Sequence, residues 1–171
     1  MYTREHLAAS IRQEVRIIRH LARKVPPGTL DWRPTPGQRS TRELLRYLSV
    51  ATLMPAHFVR EGTWEGSEKY EEEAEVLDVE RDFDAAMLRQ EEALLATIAG
   101  FTDAEMLERP SAMPWGTPCR TGQGLVDMCL KCLVAYRMQL FLYAKQSGNA
   151  DLGPADCWVG VEGPRRPPAG G

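Results

Sequence analysis

A chain of 171 residues with a formal charge of −3, 43% hydrophobic and 26% charged residues, has the balance of a single globular domain with a real core. Its slight acidity removes the whole-chain case for nucleic-acid binding, and no window approaches the ~18 uninterrupted apolar residues of a membrane span. The opening MYTREHLAAS is charged too early for a secretory signal, and two of the four cysteines lie three apart in a helical pattern, so a reducing cytoplasm is the expected compartment.

The first helix is predicted over residues 3–24. Leu7, Ile11, Val15, Ile18, Leu21 and Val25 keep a helical period, while Arg12, Arg16, Arg19 and Arg23 take the solvent face. Pro26, Pro27 and Gly28 end it, and the crossing LDWRP brings Trp32 to plug one end of the core. Ser40-Thr41-Arg42-Glu43 is a capping box that opens the second helix, which runs to Gly62 with a bend near residues 51–55 imposed by Pro55. Leu44, Tyr47, Leu48, Ala51 and Phe58 share its inner face.

Residues 62–78, GTWEGSEKYEEEAEVLD, lack an apolar stripe and read as a mobile, solvated crossover loop. The third helix is expected over residues 79–99, with Phe83, Met87, Leu94, Leu95 and Ile98 inward and Gly100 as its stop. Thr102 caps one short helix that ends by Pro110, and residues 110–120 cross irregularly to the last helix. No alternating run is long enough for a strand.

The last helix spans residues 121–148, with Thr121 as its cap and Gly148 as its left-handed stop. Its inner stripe is unusually polar, comprising Leu125, Met128, Cys129, Cys132, Tyr136, Gln139, Leu140 and Tyr143. Residues 149–171 form a Gly- and Pro-rich tail anchored only at Cys157-Trp158-Val159. The fold class is therefore all-α: a four-helix bundle over residues 1–148, not plainly up-down-up-down, with a long crossover loop and an irregular C-terminal tail.

The order of an amphipathic helix, DWRPTPGQRS, STRELLRYL, FTDAEMLERP, a PWG crossing and CLVAYRMQL resembles the DinB-like (DinB/YfiT-type) family over residues 1–148. The resemblance implies a four-helix bundle, a homodimer, and a divalent metal such as zinc or nickel on three histidines. One of those histidines lies early in the second helix, and the other two lie four apart on the last helix before Arg-x-Gln. Carried over, these positions are Tyr47, Cys132 and Tyr136, flanked by Arg137 and Gln139; none is histidine. The frame of the site is kept and its ligands are exchanged, so no metal and no cofactor is expected.

Read from the residues alone, positions 132 and 136 lie one above the other on a helix face and address one point between helices. Tyr-Cys-Tyr is a poor divalent set, because a phenol must lose a proton near pH ~10 to ligate. Cys129 and Cys132 form a C-x-x-C more than a turn inside the helix, where they read as small buried hydrophobes rather than a redox pair. Cys119 and Cys157 lie in loops and complete a four-cysteine zinc set only if the fold gathers them. His6, His20 and His57 read as surface or rim residues. Arg137 is expected to pair with a carboxylate or to lie on the rim.

Three functions compete. One is a bundle that has lost its metal and binds a small ligand at Tyr47, Cys132 and Tyr136. Another is a metal- or thiol-dependent transferase or hydrolase with Cys132 as nucleophile, although no general base stands beside it in the sequence. The last is a homodimeric interaction protein. Whether any reaction is catalysed is left open by the residues.

Overall fold

The protein is seen here as a computed structural model that describes residues 3–163. Helix α1 (Arg4–Ala22) opens on a capping box in which Thr3 Oγ accepts from the His6 N–H and the His6 ring accepts from the Thr3 N–H at 3.1 Å. His6 is thus part of a helix cap. The apolar face predicted from Leu7 to Leu21 is buried, joined by Ile17, Glu14 and His20. Arg12 and Arg16 are exposed as expected, but Arg19 and Arg23 turn back to grip Asp84 across the helix interface.

The second predicted helix is two. Helix α2 (Thr41–Leu48) starts at the Ser40–Glu43 capping box, and α3 (Leu53–Glu61) follows a break rather than a bend. Pro55 is the third residue of α3, inside the first turn, where its missing N–H has no intrahelical partner to lose. The break leaves backbone groups of residues 48–52 to be satisfied from elsewhere.

The expected crossover loop also folds. Helix α4 (Glu68–Glu75) occupies its middle and is held down by buried Ala74. Helix α5 (Val79–Ala99) is capped by Asp78 and buries Phe83, Met87, Leu94 and Ile98. After α6 (Asp103–Glu108), the crossing contains a small antiparallel ladder of β1 (Pro110–Ala112) on β2 (Pro118–Arg120), with Ser111 opposite Cys119. Three-residue strands are too short to show an alternating pattern in sequence.

The last helix has three parts: α7 (Thr121–Leu125), a π turn (Val126–Leu130) and α8 (Lys131–Gln146). The Lys131 N–H reaches back five residues to the Val126 carbonyl. Arg120, not Thr121, is the cap; the Thr121 hydroxyl donates to the Arg109 carbonyl. At the other end Gly148, φ +135°, closes a Schellman turn in which Asn149 N–H bonds to the Ala144 carbonyl and Gly148 N–H to that of Lys145.

Four helical lines make the bundle: α1, α2 with α3, α5, and α7 with α8. Helix α1 packs on α5 and α8, and the α2–α3 line packs on the other sides of α5 and of α7–α8. The first two lines in sequence therefore lie diagonally, so the bundle is not plainly up-down-up-down. Trp32 lies in the crossing between them, edge-on to Tyr143 at 5.3 Å.

Residues 149–163 are tied down more firmly than an irregular tail. A π turn (Ala155–Val159) docks on α1, burying Asp156 and Cys157, and Leu152 is buried just before it. Trp158 is mainly exposed, so the anchor is Leu152-Asp156-Cys157 rather than 157–159. His20, expected on the rim, is buried and paired with Asp156 at 2.8 Å. Of the tail, residues 164–171 lie outside the described residues. No helix among those described is long and apolar enough to cross a membrane.

Candidate functional site

The three positions singled out in sequence meet between the α2–α3 line and α8. The rings of Tyr47 and Tyr136 lie 4.8 Å apart and inclined at 55°, and the Tyr47 hydroxyl is within hydrogen-bonding reach of both Tyr136 and Cys132. Burial, reinforced by these neighbours, pushes the Tyr47 phenol far above its ordinary range. Burial also raises the Cys132 thiol, partly offset by the Tyr47 hydrogen bond. The guanidinium of Arg39 covers the Tyr47 ring at 4.4 Å.

The C-x-x-C has a structural employment. Cys129 Sγ donates to the Thr52 carbonyl at 3.7 Å, and Cys132 Sγ to the Ala51 carbonyl at 3.8 Å. Both carbonyls belong to the break between α2 and α3. Gln90 of α5 completes the repair: its Oε1 accepts from Thr52 N–H and Oγ1 at 2.8 and 3.0 Å, and its Nε2 donates to the Leu48 carbonyl at 2.8 Å. Full burial pushes the Cys129 thiol well above its usual range, and all four cysteines are free thiols.

A cavity of about 730 Å³ opens beside Tyr47 and Cys132, within the usual size range of small-molecule sites. Met54, Pro55 and Met128 line it, together with Trp64 and Trp115 on segments expected to be loops. Glu71 and Glu75, one turn apart on α4, line the same space. Sequence reasoning missed these residues because α4 shows no apolar period. Only the i, i+4 spacing of the two glutamates and two tryptophans in polar segments hinted at a surface with a use. Tyr136 contacts Tyr47 but does not line the cavity.

The secondary positions part company. Arg137, adjacent to Tyr136, points toward α1 and pairs with Glu14 at 2.9 Å, with the Trp158 ring 5.1 Å from its guanidinium. Gln139 donates to Tyr143 Oη at 2.9 Å, which donates to the Arg39 carbonyl at 3.0 Å. His57 bonds the Glu65 carbonyl. Cys119 lies in β2 and Cys157 in the C-terminal π turn.

A divalent metal does not fit the donor set. The three positions supply two phenols and one thiol, with no imidazole or carboxylate, and the buried Tyr47 phenol is costly to ionise, which leaves too few protein ligands for a tight site. Among the described residues no three His, Cys, Asp or Glu side chains come together in a way that could hold a metal ion.

No family model and no curated protein matches the sequence. The structure is similar to the crystal structure of a DinB-like protein, YjoA, from Bacillus subtilis, with a TM-score of 0.64 over 84% of this chain and 92% of that one, at 16% identity. At 16% identity the match speaks for the fold: the chain has the DinB-like all-α fold.

Proposed function

We propose that this protein is a DinB-like bundle that has given up a metal centre and uses the space beside it to bind a small organic molecule. The carrying observation is that the cavity of about 730 Å³ opens on Tyr47 and Cys132, the positions where the resemblance places metal ligands, and meets a phenol and a thiol there in place of imidazoles. Cys132 is a poor nucleophile in this setting. Its thiol is engaged by the Ala51 carbonyl and raised by burial, so the thiolate that would attack is scarce.

The test is metal analysis of protein purified without an affinity tag, followed by incubation with zinc or nickel and removal of the excess. The expected outcome is far less than one metal per chain before and after loading. Near-stoichiometric metal, lost in Cys132→Ser, would overturn the reading and restore a metal-dependent activity.

A further inference from the structure

We propose, resting on the pocket-binding reading above, that residues 66–76 are a lid over the cavity, hinged at both ends and latched by charge when it closes. Little holds this segment down. Helix α4 buries only Ala74, and among the described residues no hydrogen bond or ion pair joins residues 66–76 to α2 or α3, on which α4 packs. The fastenings lie at its two ends. Before it, the Glu65 carbonyl meets the His57 ring at 2.9 Å and Trp64 stacks on Phe58 at 4.6 Å; after it, the Leu77 carbonyl accepts from Arg46 at 3.1 Å. Gly62 and Gly66, at φ +77° and +83° with open space where a Cβ would stand, let the chain pivot at its entry.

Helix α4 is also at odds with its own sequence. Five of its eight residues are Glu; Glu68–Glu72 and Glu71–Glu75 set like charges one turn apart, no side chain caps its start and no base lies in its last turn. A helix so short and so charged does not stand alone in water, so the segment opens at far smaller cost than the bundle. What draws it in lies on the cavity wall. Arg39 and Arg46 line the same space as Glu71 and Glu75, their partners are a neutral ring and a neutral carbonyl, and no ion pair joins the four among the described residues. The structure thus holds the lid drawn back. Swinging α4 inward sets its carboxylates against uncompensated guanidinium charges, and a guest beneath is then shut away from water, which strengthens those contacts.

The experiment follows the full-length protein by hydrogen exchange and by N-ethylmaleimide labelling of Cys132, which lines the cavity, both read peptide by peptide by mass spectrometry. Amides of residues 68–76 should exchange about 100-fold or more faster than the buried ones of α2 and α3, as a separately opening unit does. Cys132 labelling should rise several-fold between about 20 mM and about 1 M salt, which screens the latch, while fully buried Cys129 stays unlabelled. Glu71→Gln with Glu75→Gln, and Arg39→Gln separately, should each remove most of that salt response; all three positions are exposed, so the fold is kept. Acting on the thiol directly, the two changes would shift its reactivity in opposite directions, which separates a latch from a local field. Exchange of residues 68–76 as slow as that of α3, a salt response that persists in both variants, or labelling of Cys129 in step with Cys132 overturns the lid. Each of these leaves the pocket reading standing, since that reading fails on bound metal instead.

Discussion

Arg137 and Glu14 are 4% and 8% exposed, and each keeps one polar atom without a hydrogen bond, Nε and Oε2 respectively. Such a pair is held by geometry more than it contributes to stability, because two charges lose their hydration for one contact. Arg137→Met alone should destabilise the fold by about 3–5 kcal/mol, since it strands the Glu14 carboxylate in the core. Changing both, Arg137→Met with Glu14→Leu, should recover most of the loss in urea unfolding at neutral pH. The pH dependence has a definite sign. Burial holds the folded Glu14 carboxyl above its ordinary 4.5, opposed by Arg137. Its protonated form therefore favours the fold, fully so below the unfolded value, and that contribution is lost as pH rises through the raised folded value. Glu14→Gln should flatten that part of the stability–pH curve; an unchanged curve would show that the carboxyl titrates as it does in the unfolded chain.

The break between α2 and α3 is the element on which the pocket depends. It frees carbonyls and N–H groups that would otherwise be internal to a helix, and three side chains from two other helices take them up: Gln90, Cys129 and Cys132. The π turn Val126–Leu130 sits opposite, and it places Asp127 and Met128 on the cavity wall while Cys129 reaches Thr52. Gln90→Met keeps the volume and deletes both ends of the clamp. It should cost about 2–4 kcal/mol, the penalty for burying two or three polar groups unpaired. Amide hydrogen exchange of residues 49–53 should accelerate more than that of α1. A uniform loss of protection across the bundle would mean that the break is not a local unit.

At the scale of the molecule, the segment after α8 behaves as a fourth wall for α1. Gly160, φ +70°, passes so close that an added Cβ would stand 3.1 Å from Ile17 Cα, so the docking needs a residue without a side chain. His20–Asp156 and Asn149 Nδ2 to the Lys24 carbonyl, both at 2.8 Å, fasten the segment at two heights. Burial raises the Asp156 carboxyl, but the Gly153 N–H, His20 and Lys24 outweigh it and leave it below its ordinary range. Ending the chain at residue 149 should cost about 3–5 kcal/mol, from burial of Leu152 and Cys157 and from the lost partner of His20. Thermal melting measures it, and a truncated chain that melts with the full-length protein would show the segment to be ornamental to the core.

The amphipathic periods of α1, α2, α5 and α8 were legible in the sequence, because helix caps and a 3.6-residue apolar stripe are local properties. The Ser40 and Thr102 caps, the Gly148 stop and the inward faces of Leu7 to Leu21 and of Phe83 to Ile98 all stand as predicted. Tyr47 lies against Tyr136 and Cys132 in the structure. Three things needed the tertiary structure. The α2–α3 break is sustained because Gln90 and two thiols, distant in sequence, supply hydrogen-bond partners to its unpaired backbone. Helix α4 forms without an apolar stripe of its own because buried Ala74 packs it down, and His20 is buried because residues 150–163 return to cover it. A pattern along the chain records which face of a helix turns inward; what waits there to meet it is set by contacts between residues far apart in the chain.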